Sequence, residues 1–191
     1  MKPTTTGSTR SSHSGKQLPR AAYAAAMVVR SELGGLSDAE ARRILNGLPR
    51  AGGYEIVVKP LRYRTRPHLA ARCEFEEHRI VLQVPVPFRT FKEPVIFAAR
   101  RIRGPRLRFA WASETILFRR RREILRFLYC HEWMHWYLYE VLSKRSSAET
   151  ACDRFALRNF RRPQVTRADA DLALARRRQS AAGADGRARI G

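Results

Sequence analysis

Along this chain the spacing of apolar positions changes twice, dividing it into helices, then strands, then helices again. An Ala-rich stretch from Pro19 or Arg20 to Leu33, stopped by Gly34-Gly35, predicts a first helix. Ser37, followed three residues on by Glu40, has capping-box spacing and predicts a short second helix ending near Gly47 and Pro49. From Gly53 the pattern turns to β-branched and aromatic runs. Tyr54–Val58 and Leu61–Arg64 read as strand interrupted at Pro60, and Cys73–Glu76 and Arg79–Val84 flank a turn at Glu77-His78. Val95–Ala99 and Leu107–Trp111 follow, with Gly104-Pro105 between them. Helical spacing returns from Arg120 to Leu142. There Ile124, Leu125, Phe127, Leu128, Trp133, Met134, Trp136, Tyr137 and Leu138 leave no clean polar stripe, so neighbours must cover this helix on most sides. Another helix begins after Ser147.

This order predicts an α+β fold: a compact domain over residues 20–162, with a small, mostly antiparallel sheet packed against the buried helix and the helix after it. Residues 1–19, rich in Thr, Ser and basic side chains, predict a disordered basic tail, and residues 163–191 a polar C-terminal tail.

Composition sharpens this picture in three places. The 191 residues, 44% hydrophobic, suit one globular domain. No apolar run reaches the ~18 residues of a membrane span, and Ala21–Val29 is short and followed by Arg30 and Glu32, which reads as a helix start rather than a signal peptide. Cys73, Cys130 and Cys152 are odd in number and far apart, which argues for a reducing, cytoplasmic setting; Cys130 and Cys152 read as small core residues between two helices.

The chemistry lies in the buried helix. At ~100° per residue, His131 and His135 project from one face about 40° and one turn apart, so both imidazoles can reach a single ion. Glu132 flanks the same point, at ~100° from His131 and ~60° from His135. Zinc suits imidazole ligands and tolerates three protein groups plus water, and a carboxylate beside that water can act as general base. This is the HExxH arrangement of zinc peptidases.

A third ligand is expected from the next helix, where Glu149 and Asp153 lie four apart on the face shared with Cys152, Ala156 and Phe160, while Arg154, Arg158 and Arg161 fall on the opposite side. His135 is roughly 10 Å from its helix end. A five-residue loop spans up to about 16 Å, so Glu149 can return to the level of the histidines. Asp153 then suits the role of acceptor for a ligand imidazole N–H. Alternatively, Ser146 and Glu149 form a capping box.

His131-Glu132-x-x-His135 followed by Glu149-x-x-x-Asp153-Arg154-Phe155-Ala156 resembles the gluzincin metallopeptidases. It is similar to segments of the membrane-bound prenyl-protein peptidases and of the ImmA/IrrE-like peptidases, and the resemblance covers about 40 residues. The resemblance implies a zincin-like domain with His131, His135 and Glu149 as zinc ligands, Glu132 as general base, Asp153 as the orienting carboxylate, and a protein or peptide as substrate. Trp133 and Met134 are bulkier than the residues usual at those positions. For the group that would stabilise an oxyanion, His68, His78, Tyr137 and Tyr139 are the candidates.

Charge keeps a second reading open. The formal net charge is +21, and Arg supplies 33 of the 38 basic residues. Arg100, Arg101, Arg103, Arg106, Arg108 and Arg119 to Arg122 would suit a nucleic-acid-binding module on a zincin scaffold. Against a dedicated site stands the spread of Arg from Arg10 to Arg189. A non-catalytic structural zinc site is the third reading, its fourth ligand drawn from Cys130, Cys152 or Asp153.

Overall fold

A computed structural model describes residues 27–102, 106, 108–144 and 148–182. The tail at 1–19 lies outside the described residues, as do 20–26 of the expected first helix. Where that helix would end, the chain forms a strand instead, β1 (Val28–Ser31). It lies parallel to β2 (Glu55–Leu61), with Val28 opposite Glu55 and Ser31 opposite Val58. β-Branched Val28 and Val29 fit a pleated surface, and a pairing partner far along the chain overrides the local Ala-rich signal. The crossover between them carries α1 (Asp38–Leu45), capped as its spacing predicts. Ser37 N–H donates to the Glu40 carboxylate at 3.0 Å and Glu40 N–H donates to Ser37 Oγ at 3.3 Å.

β3 (Ala70–Glu74) and β4 (Arg79–Pro85) form a hairpin whose turn holds His78 at φ 50°. The sheet order is β1-β2-β4-β3, with β1–β2 and β2–β4 parallel and only β3–β4 antiparallel. The four-stranded sheet is therefore mixed, and the expectation of a mostly antiparallel sheet does not hold for it. The runs Ile56-Val57-Val58 and Ile80-Val81-Leu82 are buried without alternation. Such runs need cover on both faces, as parallel neighbours have, so β4 takes the inner place while half-buried β3 takes the edge. β2 also runs through Pro60, which the sequence marks as a break. β1 ends opposite Val58, so Pro60 sits where β2 has β4 alone as neighbour and its missing N–H breaks no second ladder.

β5 (Phe91–Ile102) and β6 (Arg108–Phe118) pair as a long antiparallel ribbon, extending well past the short strands expected there. Its base is buried at Phe91, Val95, Ile116 and Phe118, and Phe118 meets Phe127 and Phe160 edge-on or tilted. A bulge between Ile96 and Ala98 marks where burial stops.

α2 (Arg121–Trp136) continues through Val141 as a π-helical turn, closed by Leu142 N–H donating to Tyr137 O at 3.1 Å. Its length agrees with the expected Arg120–Leu142, and it is buried on almost every side. α3 (Glu149–Asn159) packs along it, and α4 (Arg167–Ala182) occupies the segment expected to be a polar tail. That helix is hard to read because Ala170 and Ala173 do the burying, while its larger Leu172 stays 62% exposed. The architecture is thus α+β, with no helix among the described residues long and apolar enough to cross a membrane.

Arg126 ties these parts together from inside. Its guanidinium donates to Phe160 O at 2.8 Å, Ile44 O at 2.8 Å, Asn46 O at 3.0 Å and also to Arg162 O. The acceptors are carbonyls at the C-terminal ends of α1 and α3, where helices leave carbonyls unsatisfied and carry partial negative charge. Arg126→Met keeps the stem but removes the fork. At about 1–3 kcal/mol for each orphaned buried polar group, stability should fall by roughly 3 kcal/mol or more. Urea unfolding would report this as a lower midpoint at unchanged slope. A loss below ~1 kcal/mol, less than one orphaned group costs, would remove Arg126 from its organising place.

Candidate metal centre

α2 and α3 meet in opposite order along their lengths: Arg126 at Phe160, His131 at Asp153, His135 at Glu149. The helices are therefore antiparallel. A spacing of four on each, about 6 Å of rise, sets the pair His131/His135 against the pair Asp153/Glu149. His131 Nε2 lies 3.1 Å from His135 Nε2 and 3.2 Å from Glu149 Oε2, and His135 Nε2 lies 3.5 Å from Glu149 Oε1. One ligand atom from each of the three residues falls within 4.8 Å of the others, close enough to hold one metal ion. Both imidazoles are mostly enclosed, whereas the Glu149 side chain is 60% exposed and forms the open side.

The donor set fits a cation on chemical grounds. His131 Nδ1 is 2.8 Å from Asp153 Oδ1, and an ionised carboxylate only accepts, so Nδ1 carries the proton of this bond. In neutral His131 the lone pair then sits on Nε2, aimed at the Glu149 carboxylate and at His135 Nε2. Such converging electron-rich atoms demand a positive charge between them. Without metal, a proton supplies it. Burial alone pushes the His131 pKa down, but the bonds to Asp153 and Glu149 outweigh it and raise the value to about 10. Burial, with His131⁺ alongside, holds His135 below its ordinary value. The His131 bond holds Glu149 below the usual carboxylate range.

Glu132 is 6% exposed and points to the sheet side of α2, where its carboxylate accepts a hydrogen bond from the Cys73 backbone of β3. Burial raises its pKa to about 7; the His131 charge opposes that rise and Glu149 reinforces it. All five residues expected at the site are thus on two packed helices, four in direct contact and Glu132 within electrostatic reach of His131, Glu149 and Asp153.

Other candidates go elsewhere. Cys130 and Cys152 are buried in the core, as expected of small packing residues, and neither joins the metal cluster. Burial pushes the Cys130 thiol up to about 12 and raises Cys152 as well, away from the thiolate that binds metal. Tyr137 stacks on Trp133 and donates to Asp171 at 2.8 Å, Tyr139 packs on Phe75, His78 meets Tyr54 edge-on, and His68 is exposed. None of these four is brought to the cluster. Ser146 lies outside the described residues; the N-cap of α3 is Ala148, and the Glu149 carboxylate reaches the imidazoles.

Arg154 is the residue that periodicity misplaces. Expected on the outer face of α3, it donates through Nε to Phe97 O at 3.1 Å and through Nη1 to Ala173 O at 3.0 Å. Directly after Asp153, it fastens α3 to β5 and α4. Its acceptors are backbone carbonyls 57 and 19 residues away, for which a sequence carries no side-chain signal.

Purified protein should bind about one divalent ion per chain, and His131→Ala should lose most of it; full occupancy in that variant would dismiss the site. Binding should also release a proton. Metal needs neutral His131, whereas the metal-free residue stays protonated up to a pKa of about 10. Affinity should therefore rise with pH through the neutral range and level off above that value. Calorimetry at pH 8 in two buffers of different ionisation enthalpy should give about one proton released per ion. Buffer-independent heats would contradict the assigned protonation.

No protein-family model, curated protein or solved structure matches this chain.

Proposed function

We propose that the chain is a zinc-dependent metallopeptidase of the zincin kind, with His131, His135 and Glu149 as zinc ligands and Glu132 as general base. The observation that carries this reading is the convergence of two imidazoles and one carboxylate from two antiparallel helices, beside a buried carboxylate. Two imidazoles disfavour calcium and magnesium, which prefer oxygen ligands. Tetrahedral zinc with bonds of ~2.0–2.1 Å places its ligand atoms about 3.3–3.4 Å apart. The separations here are 3.1, 3.2 and 3.5 Å.

Three ligands, rather than the four of a closed structural site, come together among the described residues. Asp153 is already engaged with His131 Nδ1, and both cysteines lie in the core, which speaks against a fourth protein ligand. A zinc ion with an open position supplies a water acidic enough to lose its proton near neutral pH. With zinc held by His131, His135 and Glu149, Glu132 would be the group that takes that proton and returns it to the leaving amine. Asp153 fixes the His131 tautomer, keeping its Nε2 lone pair toward the metal.

The neighbourhood of Glu132 supports an extended polypeptide as substrate. β3 is an edge strand, paired only with β4 among the described residues. The Cys73 N–H that meets Glu132 belongs to that strand. A peptide adding to the same edge through main-chain hydrogen bonds would run beside the base.

Glu132→Gln should keep zinc and fold while cutting hydrolysis of an unfolded protein such as casein by at least ~100-fold. Unchanged hydrolysis would sink the mechanism, and zinc bound with no hydrolysis in the parent protein would favour a structural site. Asp153→Asn should weaken zinc binding by about 10–100-fold, since the amide cannot hold the same tautomer. Equal zinc affinity would leave Asp153 no orienting role.

A further inference from the structure

Beyond its bulge the β5–β6 ribbon carries side chains that neither the fold nor the metal centre uses. From Phe97 to Ala112 the sequence has five arginines (Arg100, Arg101, Arg103, Arg106, Arg108) and no acid. Arg101, Arg106 and Arg108 are exposed, and no carboxylate pairs with them among the described residues. In the antiparallel register Arg101 lies opposite Phe109 and Ala99 opposite Trp111. Directly opposed residues share a face, so Arg101, Phe109 and Trp111 project together. Phe109 is 46% and Trp111 59% exposed. Their ring centroids are 6.0 Å apart and inclined by 43°, side by side rather than closed on each other. On that same face Ala99, opposite Trp111, is small and leaves the indole prominent.

We propose that this end of the ribbon binds single-stranded nucleic acid, with Phe109 and Trp111 stacking on bases and Arg101 and Arg106 contacting phosphates. Every base has a π-face, so stacking on exposed rings works without a sequence requirement. A guanidinium matches phosphate geometry and can itself stack, which suits arginine rather than lysine at such a surface. Duplex DNA keeps its base faces inside the stack and gives the rings nothing to cover. An acid-free basic segment beside paired aromatics therefore favours an unpaired strand over a duplex or a protein surface. The net charge of +21 adds long-range attraction for a polyanion. The surface needs no metal, so it stands or falls separately from the peptidase reading.

Tryptophan emission gives a direct test with the full chain. Trp133 and Trp136 are fully buried, so quenching by oligothymidine of about 15 residues, enough to span a typical site, reports on Trp111. Trp111→Ala should weaken binding of a labelled strand by about 10-fold or more, and Trp111→Phe should restore most of it. Neutralising Arg101 and Arg106 with Gln should flatten the log-affinity against log-salt slope by about 1.4, at ~0.7 per phosphate contact. The same change at exposed Arg42 and Arg64 should leave the slope unchanged. Circular dichroism should show every variant folded, because all these side chains are exposed. The proposal is overturned by equal affinity in Trp111→Ala, by equal slopes in the two double variants, or by duplex binding as tight as single-strand binding. A blue shift of Trp111 on phosphatidylserine vesicles without quenching by the strand would overturn it too, in favour of a membrane surface.

Discussion

A charged side chain buried without a carboxylate must find oxygen elsewhere, and Arg126 finds it at the ends of two helices. Its planar fork has five N–H donors in fixed directions, so it does more than neutralise: it sets where the ends of α1 and α3 lie. α3 can then pack along α2 in one register. From Arg126 to His131 is five residues, about 7.5 Å of rise, and from Phe160 back to Asp153 is seven, about 10.5 Å. The reach of the arginine stem covers the difference. Sliding α3 by one turn, ~5.4 Å, would carry Glu149 past both imidazoles and leave Asp153 without His131 Nδ1. The geometry that could hold a metal ion is thus a consequence of a contact at the other end of the helix pair. Arg154 adds a second fastening immediately after Asp153, holding α3 to β5 and α4.

The centre also has to work against the charge of its own protein. A divalent cation approaching a chain of net charge +21 is repelled at long range. Exposed charges are screened beyond ~8 Å at physiological ionic strength, whereas groups in contact in a partly buried site are screened much less. Glu132, Glu149 and Asp153 sit together around two imidazoles, so locally the site is acidic. Close, weakly screened carboxylates outweigh distant, screened arginines, and the same protein can hold a cation in one place and attract polyanions in another.

The local features were legible and the long-range ones were not. The Ser37/Glu40 box, the length and burial of the helix from Arg121, and the spacing that sets Glu149 and Asp153 on one face of the next helix all depend on residues a few positions apart. β1 has no local signal because its partner β2 comes some 27 residues later, by its Val28–Glu55 pairing. The sheet's order depends on β2 and β4 needing cover on both faces, a property of the assembled layers. The π-turn after Trp136 goes with tertiary contacts of Tyr137, which stacks on Trp133 and reaches Asp171 on α4. α4 itself reads as polar because alanines at a spacing of three make its buried face. Glu132, Glu149 and Asp153 could be read as a group because acids on an apolar helix face need a reason.

The arginine bias resolves into distinct uses once each residue is placed. Arg126 and Arg154 turn inward and donate to six backbone carbonyls between them. Arg162 bridges Asn159 and Asp169 at the junction of α3 and α4, and Arg161 lies over the Phe160 ring. Arg101, Arg106 and Arg108 face outward on the ribbon without a carboxylate partner among the described residues. Lysine would supply the same positive charge at each place. It would not supply a planar fork that reaches carbonyls of two helices at once, nor a flat face that lies on a ring. The ratio of 33 Arg to five Lys is therefore structural at some positions, where geometry demands the guanidinium, and a matter of surface chemistry at others. A spread from Arg10 to Arg189 does not by itself argue against a local site, because the inward-facing residues must be set aside before the surface pattern can be judged. With Arg126 and Arg154 set aside, the distal ribbon stands out by its lack of any acid and by the two rings beside its arginines.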